Sequence, residues 1–241
     1  MPKSEAGRQR VRVHRLGTIP YTEAWNYQEN LFNTLVSRKI NFRGTEREHE
    51  SPVHELIFCS HPPVFTLGKS ANSDNLLFPE EFIRQSGAEV YKTNRGGDIT
   101  FHGPGQLVMY PIFDLDFFFT DIHRYLRTLE EAVILTLSEY GVAADRYPGY
   151  TGVWIEPEHD IDARKICAMG VRCSRWVTMH GIALNLNTDL EWFNKIVPCG
   201  ISGKKVSSLH LETGCAIDEE HTEALLLKHM SALFDFVWEK A

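Results

Sequence analysis

The chain reads as an α+β domain, a mixed sheet with helices packed on it. Two long stretches repeat apolar residues at helical spacing, several shorter runs carry strand patterns, and the two kinds follow one another without regular alternation. In chain order, residues 21–39 place Trp25, Gln28, Phe32 and Leu35 on one helical face. Residues 53–59 and 90–93 read as strands, as do residues 99–101 inside a glycine-rich segment and residues 106–113 after it. A second helix over residues 121–140 sets Ile122, Leu126, Leu129 and Val133 towards a core and stops at Gly141. Residues 165–173 form a mostly buried strand, and residues 177–187 form another in which Ile182, Leu184 and Leu186 alternate cleanly. Thr188 and Glu191 make a capping-box pattern for a short helix over residues 188–196, which Pro198 stops. A last helix begins near Asp218 and docks a stripe of Leu226, Met230, Leu233, Phe234 and Val237. Loops are expected over residues 44–52, 69–78 and 156–163, the last two as rims of a site.

Composition bounds the function. With 241 residues, 43% hydrophobic and 24% charged, the chain suits one domain spanning 1–241 with a substantial core. No apolar run reaches the roughly 20 residues of a membrane helix, and the polar start lacks the apolar stretch of a secretion signal. Five cysteines without regular spacing agree with a reducing compartment, so a cytoplasmic location is expected, with no membrane and no nucleic acid as partner. The same spacing gives no zinc pattern, so no metal is expected, and Cys59, Cys167, Cys173 and Cys215 read as reduced and structural.

Cys199 differs from these four. Pro198 before it and Gly200 after it set it in a tight turn, which lifts a side chain out of regular packing. It follows the end of the expected 188–196 helix, where the helix dipole opposes a thiolate, so a cation must come from elsewhere. Lys204 and Lys205 are near in sequence but read as solvated loop charges. Lys165 opens a buried strand, where a lysine is desolvated and held in place.

Residues 95–106 run Arg-Gly-Gly-Asp-Ile-Thr-Phe-His-Gly-Pro-Gly-Gln. Gly96, Gly97, Gly103 and Gly105 allow backbone to approach a ligand and turn N–H groups towards a carbonyl oxygen, with Arg95 and His102 as further donors; the alternative is a pair of tight turns around a short strand. The spacing fits neither a dinucleotide fingerprint nor a phosphate loop. His102 and His180 read either as donors in a pocket or as structural hydrogen-bonding groups, and His221 and His229 lie on an expected surface helix.

Residues 95–106, 165–171 and 198–201, with His61-Pro-Pro-Val-Phe-Thr-Leu-Gly68 and His180-Gly-Ile-Ala-Leu-Asn185, resemble the octanoyltransferases of lipoate synthesis, in the same order over about residues 50–210. The resemblance implies the catalytic fold shared by biotin and lipoate protein ligases. It implies that octanoyl passes from octanoyl-acyl carrier protein to a lysine of lipoyl domains, those of 2-oxoacid dehydrogenase complexes and the glycine cleavage carrier protein, through a Cys199 thioester assisted by Lys165. No cofactor is then required. It also implies an acyl pocket lined by Arg95, Gly96, Gly97, Asp98, Ile99, Thr100, Phe101 and His102, by Ala168, Met169 and Gly170, and by Gly181, Ile182 and Ala183. Two departures stand out. Ser207 occupies a position where relatives commonly carry threonine, and Asp98 one where an amide is frequent. An ATP-dependent lipoate ligase and a non-catalytic carrier-binding module are the alternative readings. The net charge of −7 requires a local basic patch to receive an acidic carrier protein, with Lys69, Lys92, Arg95, Lys204 and Lys205 as its candidates.

Overall fold

The structure is a computed structural model and describes residues 8–159, 161–197 and 204–241. Strand β1 (Gln9–Thr18) leads into helix α1 (Tyr21–Phe42), followed by β2 (Val53–Ser60), β3 (Val64–Leu67), α2 (Glu80–Gln85), β4 (Glu89–Lys92), β5 (Ile99–His102) and β6 (Gln106–Ile112). Helix α3 (Ile122–Ser138), β7 (Val153–Ile155), β8 (Arg164–Ser174) and β9 (Val177–Asn185) come next, then β10 (Lys205–Val206), α4 (Leu209–Thr213), α5 (Glu219–Phe234) and β11 (Phe236–Lys240). Among the described residues eight strands form one mixed sheet in the order β10-β8-β9-β6-β2-β1-β11, with β7 paired to β8, and β4-β3-β5 form a second, smaller sheet. Antiparallel pairs β2–β6, β6–β9 and β8–β9 make the centre, and parallel β1–β2 and β1–β11 pairs the far edge.

Strand alternation decides the layers. Leu56, Phe58, Leu107, Met109, Ile182 and Leu184 point to the face covered by α3 and α5. Ile57, Cys59, Val108, Tyr110 and Ala183 point to the face covered by Phe32 and Leu35 of α1. Asp121 and Asp218 cap α3 and α5 by accepting from the backbone N–H groups of Arg124 and His221. No helix among the described residues is long and apolar enough to cross a membrane.

Three expectations change. Residues 188–196 do not form an α-helix capped by Thr188. The Thr188 hydroxyl donates to the Gly105 carbonyl at 3.0 Å, and Asp189 instead caps a 3₁₀ turn over Leu190–Lys195. The apolar stripe of α5 ends at Phe234, because Asp235 adopts a left-handed conformation at φ 55° and redirects the chain, so Val237 belongs to β11. Ile122 and Leu126 of α3 are only half-buried and line a cleft, Ile122 packing against the edge of the core as well.

Four buried histidines make the fold acid-sensitive. Burial pushes His54 and His180 down to about 3 and His61 to about 4, and it lowers His102 well below its ordinary value. Their folded pKa values are depressed, so the unfolded chain binds more protons between about pH 6.5 and the folded values. The stability they confer is whole above about pH 6.5 and is lost as pH falls towards 4, by about 1.4 kcal/mol per histidine per pH unit. Denaturant midpoints measured at pH 7.5 and pH 5 should therefore differ widely, and equal midpoints would contradict the neutral state of these rings.

Candidate active site

Two hairpin strands and one loop build the pocket. In the β8–β9 register Ala168 lies opposite Ala183, Met169 opposite Ile182 and Gly170 opposite Gly181, so small residues open a trough in the sheet. The loop before β5 lies along it, held by the Gly96 N–H, which donates to the Val171 carbonyl at 2.9 Å. A methyl on Gly170 would stand 2.6 Å from the Gly96 carbonyl oxygen, a backbone contact that cannot yield cheaply. Gly170→Ala should therefore lift the loop and reduce the acyl transfer that the resemblance implies by roughly ten-fold or more, with the protein still folded. Wild-type rates in this variant would dissociate the loop from the pocket.

The resulting narrow pocket has a volume of only about 40 Å³. Of the fourteen residues expected to line it, Arg95, Gly97, Asp98, Ile99, Thr100 and His102 do so, as do Ala168, Met169, Gly170, Gly181, Ile182 and Ala183. Two do not. Phe101 turns away into the core of the smaller sheet, its ring stacked on Trp192 at 5.3 Å and packed on Phe65 and Phe193. Gly96 lines the adjoining cleft instead. Tyr21, Tyr110 and His180 complete the wall; of these the sequence points only to His180, as either a pocket donor or a structural hydrogen-bonding group.

Buried polar groups in this wall are largely satisfied. The Arg95 guanidinium donates to the Thr66 hydroxyl and carbonyl and to the Gly96 carbonyl, with only 7% of the residue exposed, so Arg95 is a buttress of the loop and not part of a surface basic patch. His102 Nδ1 donates to Gln106 Oε1 at 2.9 Å, while Gln106 Nε2 donates to Asn185 Oδ1 at 2.9 Å and to the Phe101 carbonyl. Asn185 in turn donates to the Ser207 carbonyl, and the Ser207 N–H donates to the Lys165 carbonyl, both at 2.9 Å. A continuous polar chain thus fixes the pocket to the strand that carries Lys165. Ser207 is fully buried and its hydroxyl donates to Glu212, which accounts for a hydroxyl at this position. Asp98 uses both carboxylate oxygens on the protein: Oδ1 accepts from the Ile99 and Asn72 N–H groups, and Oδ2 from Asn75 Nδ2. It shapes the wall rather than presenting a free acceptor.

Beyond Gly97, Asp98, Met169 and Gly170 the pocket opens into a wider cleft of about 490 Å³, whose other walls include Ile122, Leu126, Tyr150 and Lys165. Lys165 is 7% exposed, and its ammonium lies 4.8 Å from the centre of the Trp154 ring. Tyr147 and Tyr150 pack on the same indole, and Lys204 donates to the Tyr147 hydroxyl at 3.2 Å. Pairing of β10 with β8 seats Lys205 opposite Arg164 and Val206 opposite Lys165. Cys199 lies outside the described residues. On one side of it, Val197 donates its N–H to the Asn75 carbonyl at 2.8 Å; on the other, β10 lies against Lys165.

Residues 20–231 match the model of the lipoyl protein ligase A/B catalytic domain. The chain belongs to that family. Within it, the chain is 54% identical over 226 residues to the octanoyltransferase of Cytophaga hutchinsonii, covering 93% of each sequence. It is 56% identical over 227 residues to that of Christiangramia forsetii, covering 93% of this chain and 95% of the relative. Solved structures share the fold of this lipoyl ligase family at low identity. A bipartite lipoate protein ligase from Thermoplasma acidophilum, described with its E2 lipoyl domain, superposes with a TM-score of 0.69 at 16% identity, over 97% of this chain and 87% of the other. Biotin protein ligase from Aquifex aeolicus, in complex with biotin and ATP, gives 0.51 at 13% identity over 93% and 70%. The expected α+β ligase fold is the fold observed.

Proposed function

We propose that this chain is an acyltransferase that moves an octanoyl group from octanoyl-acyl carrier protein to a lysine of a lipoyl domain. The observation that carries the reading is the narrow pocket between the glycine loop and the β8–β9 trough, continuous with a cleft holding a buried lysine, in a chain more than half identical to octanoyltransferases. The Cys199 thiolate attacks the thioester carbonyl; the carbon–sulfur bond to pantetheine breaks, and the carrier thiol leaves with a proton. The acceptor amine then attacks the Cys199 acyl thioester, gives up a proton and releases the cysteine sulfur, forming the amide. Lys165 favours the thiolate in the first step and handles the proton in the second. The chain itself supplies every group this sequence needs, without ATP, metal or cofactor. A cytoplasmic site of action and the lipoyl domains of 2-oxoacid dehydrogenases and of the glycine cleavage carrier as acceptors belong to the same proposal. Intact-protein mass spectrometry after mixing with octanoyl carrier protein, in the absence of ATP, tests it. An added octanoyl mass that disappears on addition of a lipoyl domain is expected, whereas an absolute need for ATP would make the chain a ligase.

Carrier docking needs positive charge near the cleft. Lys69, Lys92 and Lys205 are exposed and Lys204 is partly so. Reversing Lys204 and Lys205 to glutamate should slow transfer from the carrier protein, most at low salt where screening is weakest, and spare a small uncharged octanoyl thioester. Lys204 also contacts Tyr147, so equal losses with both donors would assign these lysines to the site's structure instead.

A further inference from the structure

The narrow pocket and the cleft beyond it meet at a shared rim, since Gly97, Asp98, Met169 and Gly170 line both spaces. Lys165 lines the cleft and not the pocket. A thioester carbonyl reacting beside Lys165 therefore has its two substituents divided between the two spaces. The acyl chain passes the rim into the narrow pocket, and the group on sulfur is left in the cleft.

That cleft is amphipathic. Ile122 and Leu126, one helical turn apart at the start of α3, share its wall with Val171 of β8. All three are half-buried, whereas Tyr125 and Leu129 on the same helix are fully buried in the core. Ser70 and Thr151 bring exposed residues with hydroxyl groups to the same wall. Among the described residues lining the cleft, Lys165 is the one cation and Asp98 the one carboxylate, and Asp98 is already engaged by Ile99, Asn72 and Asn75. A neutral ligand with both apolar and amide character suits such a surface. The volume of about 490 Å³ lies within the range of about 300–1,000 Å³ that encloses a whole small molecule, and the bare stem of an acceptor lysine would leave most of it empty.

We propose that the cleft is the subsite for the pantetheine arm of the acyl donor, with Ile122, Leu126 and Val171 packing against its branched dimethyl carbon and the hydroxyls of Ser70 and Thr151 serving its amides. The proposal deepens the acyl-transfer reading and rests on it for the identity of the donor. An arm laid along α3 removes the half-buried side chains from water, which favours binding at a distance from the reacting carbonyl. A donor that lacks the branched part forgoes that contact and keeps the same thioester.

The test compares octanoyl-pantetheine with octanoyl-N-acetylcysteamine, which carries the same thioester and the first amide of the arm but not the branched part. The second-order rate constant of acyl-enzyme formation by the full chain should be roughly ten-fold higher with octanoyl-pantetheine. In Leu126→Ala that ratio should fall towards one, through a higher half-saturating concentration of the pantetheine ester. A smaller fall is expected in Ile122→Val, which keeps the edge of the core filled. Equal rate constants for the two donors with the wild type overturn the proposal, and so does a ratio undiminished in folded Leu126→Ala. A loss in Leu126→Ala confined to resolution of the acyl-enzyme by a lipoyl domain assigns the cleft to the acceptor and overturns it as well. A wild type that forms no acyl-enzyme even from octanoyl-acyl carrier protein sinks the acyl-transfer reading instead, so the two failures are distinguishable.

Discussion

Cys199→Ala is expected to abolish acyl transfer, by about 10³-fold or more, because it removes the proposed nucleophile and none of the other four thiols, exposed Cys215 included, lines the pocket or its cleft. Cys167 is fully buried and Cys59 nearly so, and burial pushes both thiols far above their ordinary values. Cys173 is half-buried with its thiol also raised. A sulfur that cannot ionise attacks a thioester poorly. Pro198 before Cys199 and Gly200 after it predict a turn rather than a core position, so the substituted protein is expected to keep its thermal midpoint. Cys199→Ser should be nearly as inactive, its hydroxyl being far harder to ionise than a thiol. The check is steady-state transfer together with peptide mapping of the acylated wild type. An adduct on Cys167, or turnover by Cys199→Ala within ten-fold of wild type, would remove Cys199 from the mechanism.

Much of this site was legible through the family resemblance, which implied a pocket at these short runs of small residues. Ala168, Gly170, Gly181 and Ala183 alternate along two stretches that read as strands, and the structure pairs those strands and sets the four residues in register to open one trough. Lys165 at the head of an apolar strand likewise had to be buried against something, and Trp154 is what it meets. Phe101 was misplaced although its neighbours carried the signal: Thr100 and His102 alternate with it, and in β5 they take the pocket face while Phe101 takes the core. A strand of four residues buried on both sides gives that alternation little contrast.

Other features depend on topology and could not be read locally. Tyr21 opens α1 and Tyr110 sits in β6, and only the packing of α1 on the sheet brings them to one pocket. Strand β1 was overlooked because Arg10, Arg12 and Arg15 made the start read as polar, while Val11 and Val13 between them are buried. β11 depends on a single left-handed residue, Asp235, which no periodicity announces. Ile122 and Leu126 continue the apolar stripe of α3, but Tyr125 between them takes the core position while they line the cleft.

Lys165→Arg should separate the two halves of the reaction. The guanidinium keeps the positive charge and the favourable face of Trp154, so the electrostatic support for a thiolate is partly retained and acylation should fall modestly. Arginine cannot give up its proton in a protein, whereas the second half-reaction must take one from the attacking amine. Deacylation should therefore fall by about 10²-fold or more, and the acyl-enzyme should accumulate to stoichiometry during turnover. Space sharpens the contrast. A methyl at Gly152 would stand 3.5 Å from Lys165 Cε and 2.5 Å from the Cys167 carbonyl oxygen, so the channel around the stem is tight and some acylation will be lost to geometry alone. Lys165→Ala provides the reference, since it removes charge and proton carrier together and should depress both halves. Single-turnover rates of acyl-enzyme formation with octanoyl carrier protein, and of its resolution by a lipoyl domain, measure the two steps independently. Equal losses in the two half-reactions of Lys165→Arg would reduce Lys165 to an electrostatic role, whereas a selective block at deacylation in the arginine variant alone fits a residue that both holds the thiolate and carries the proton.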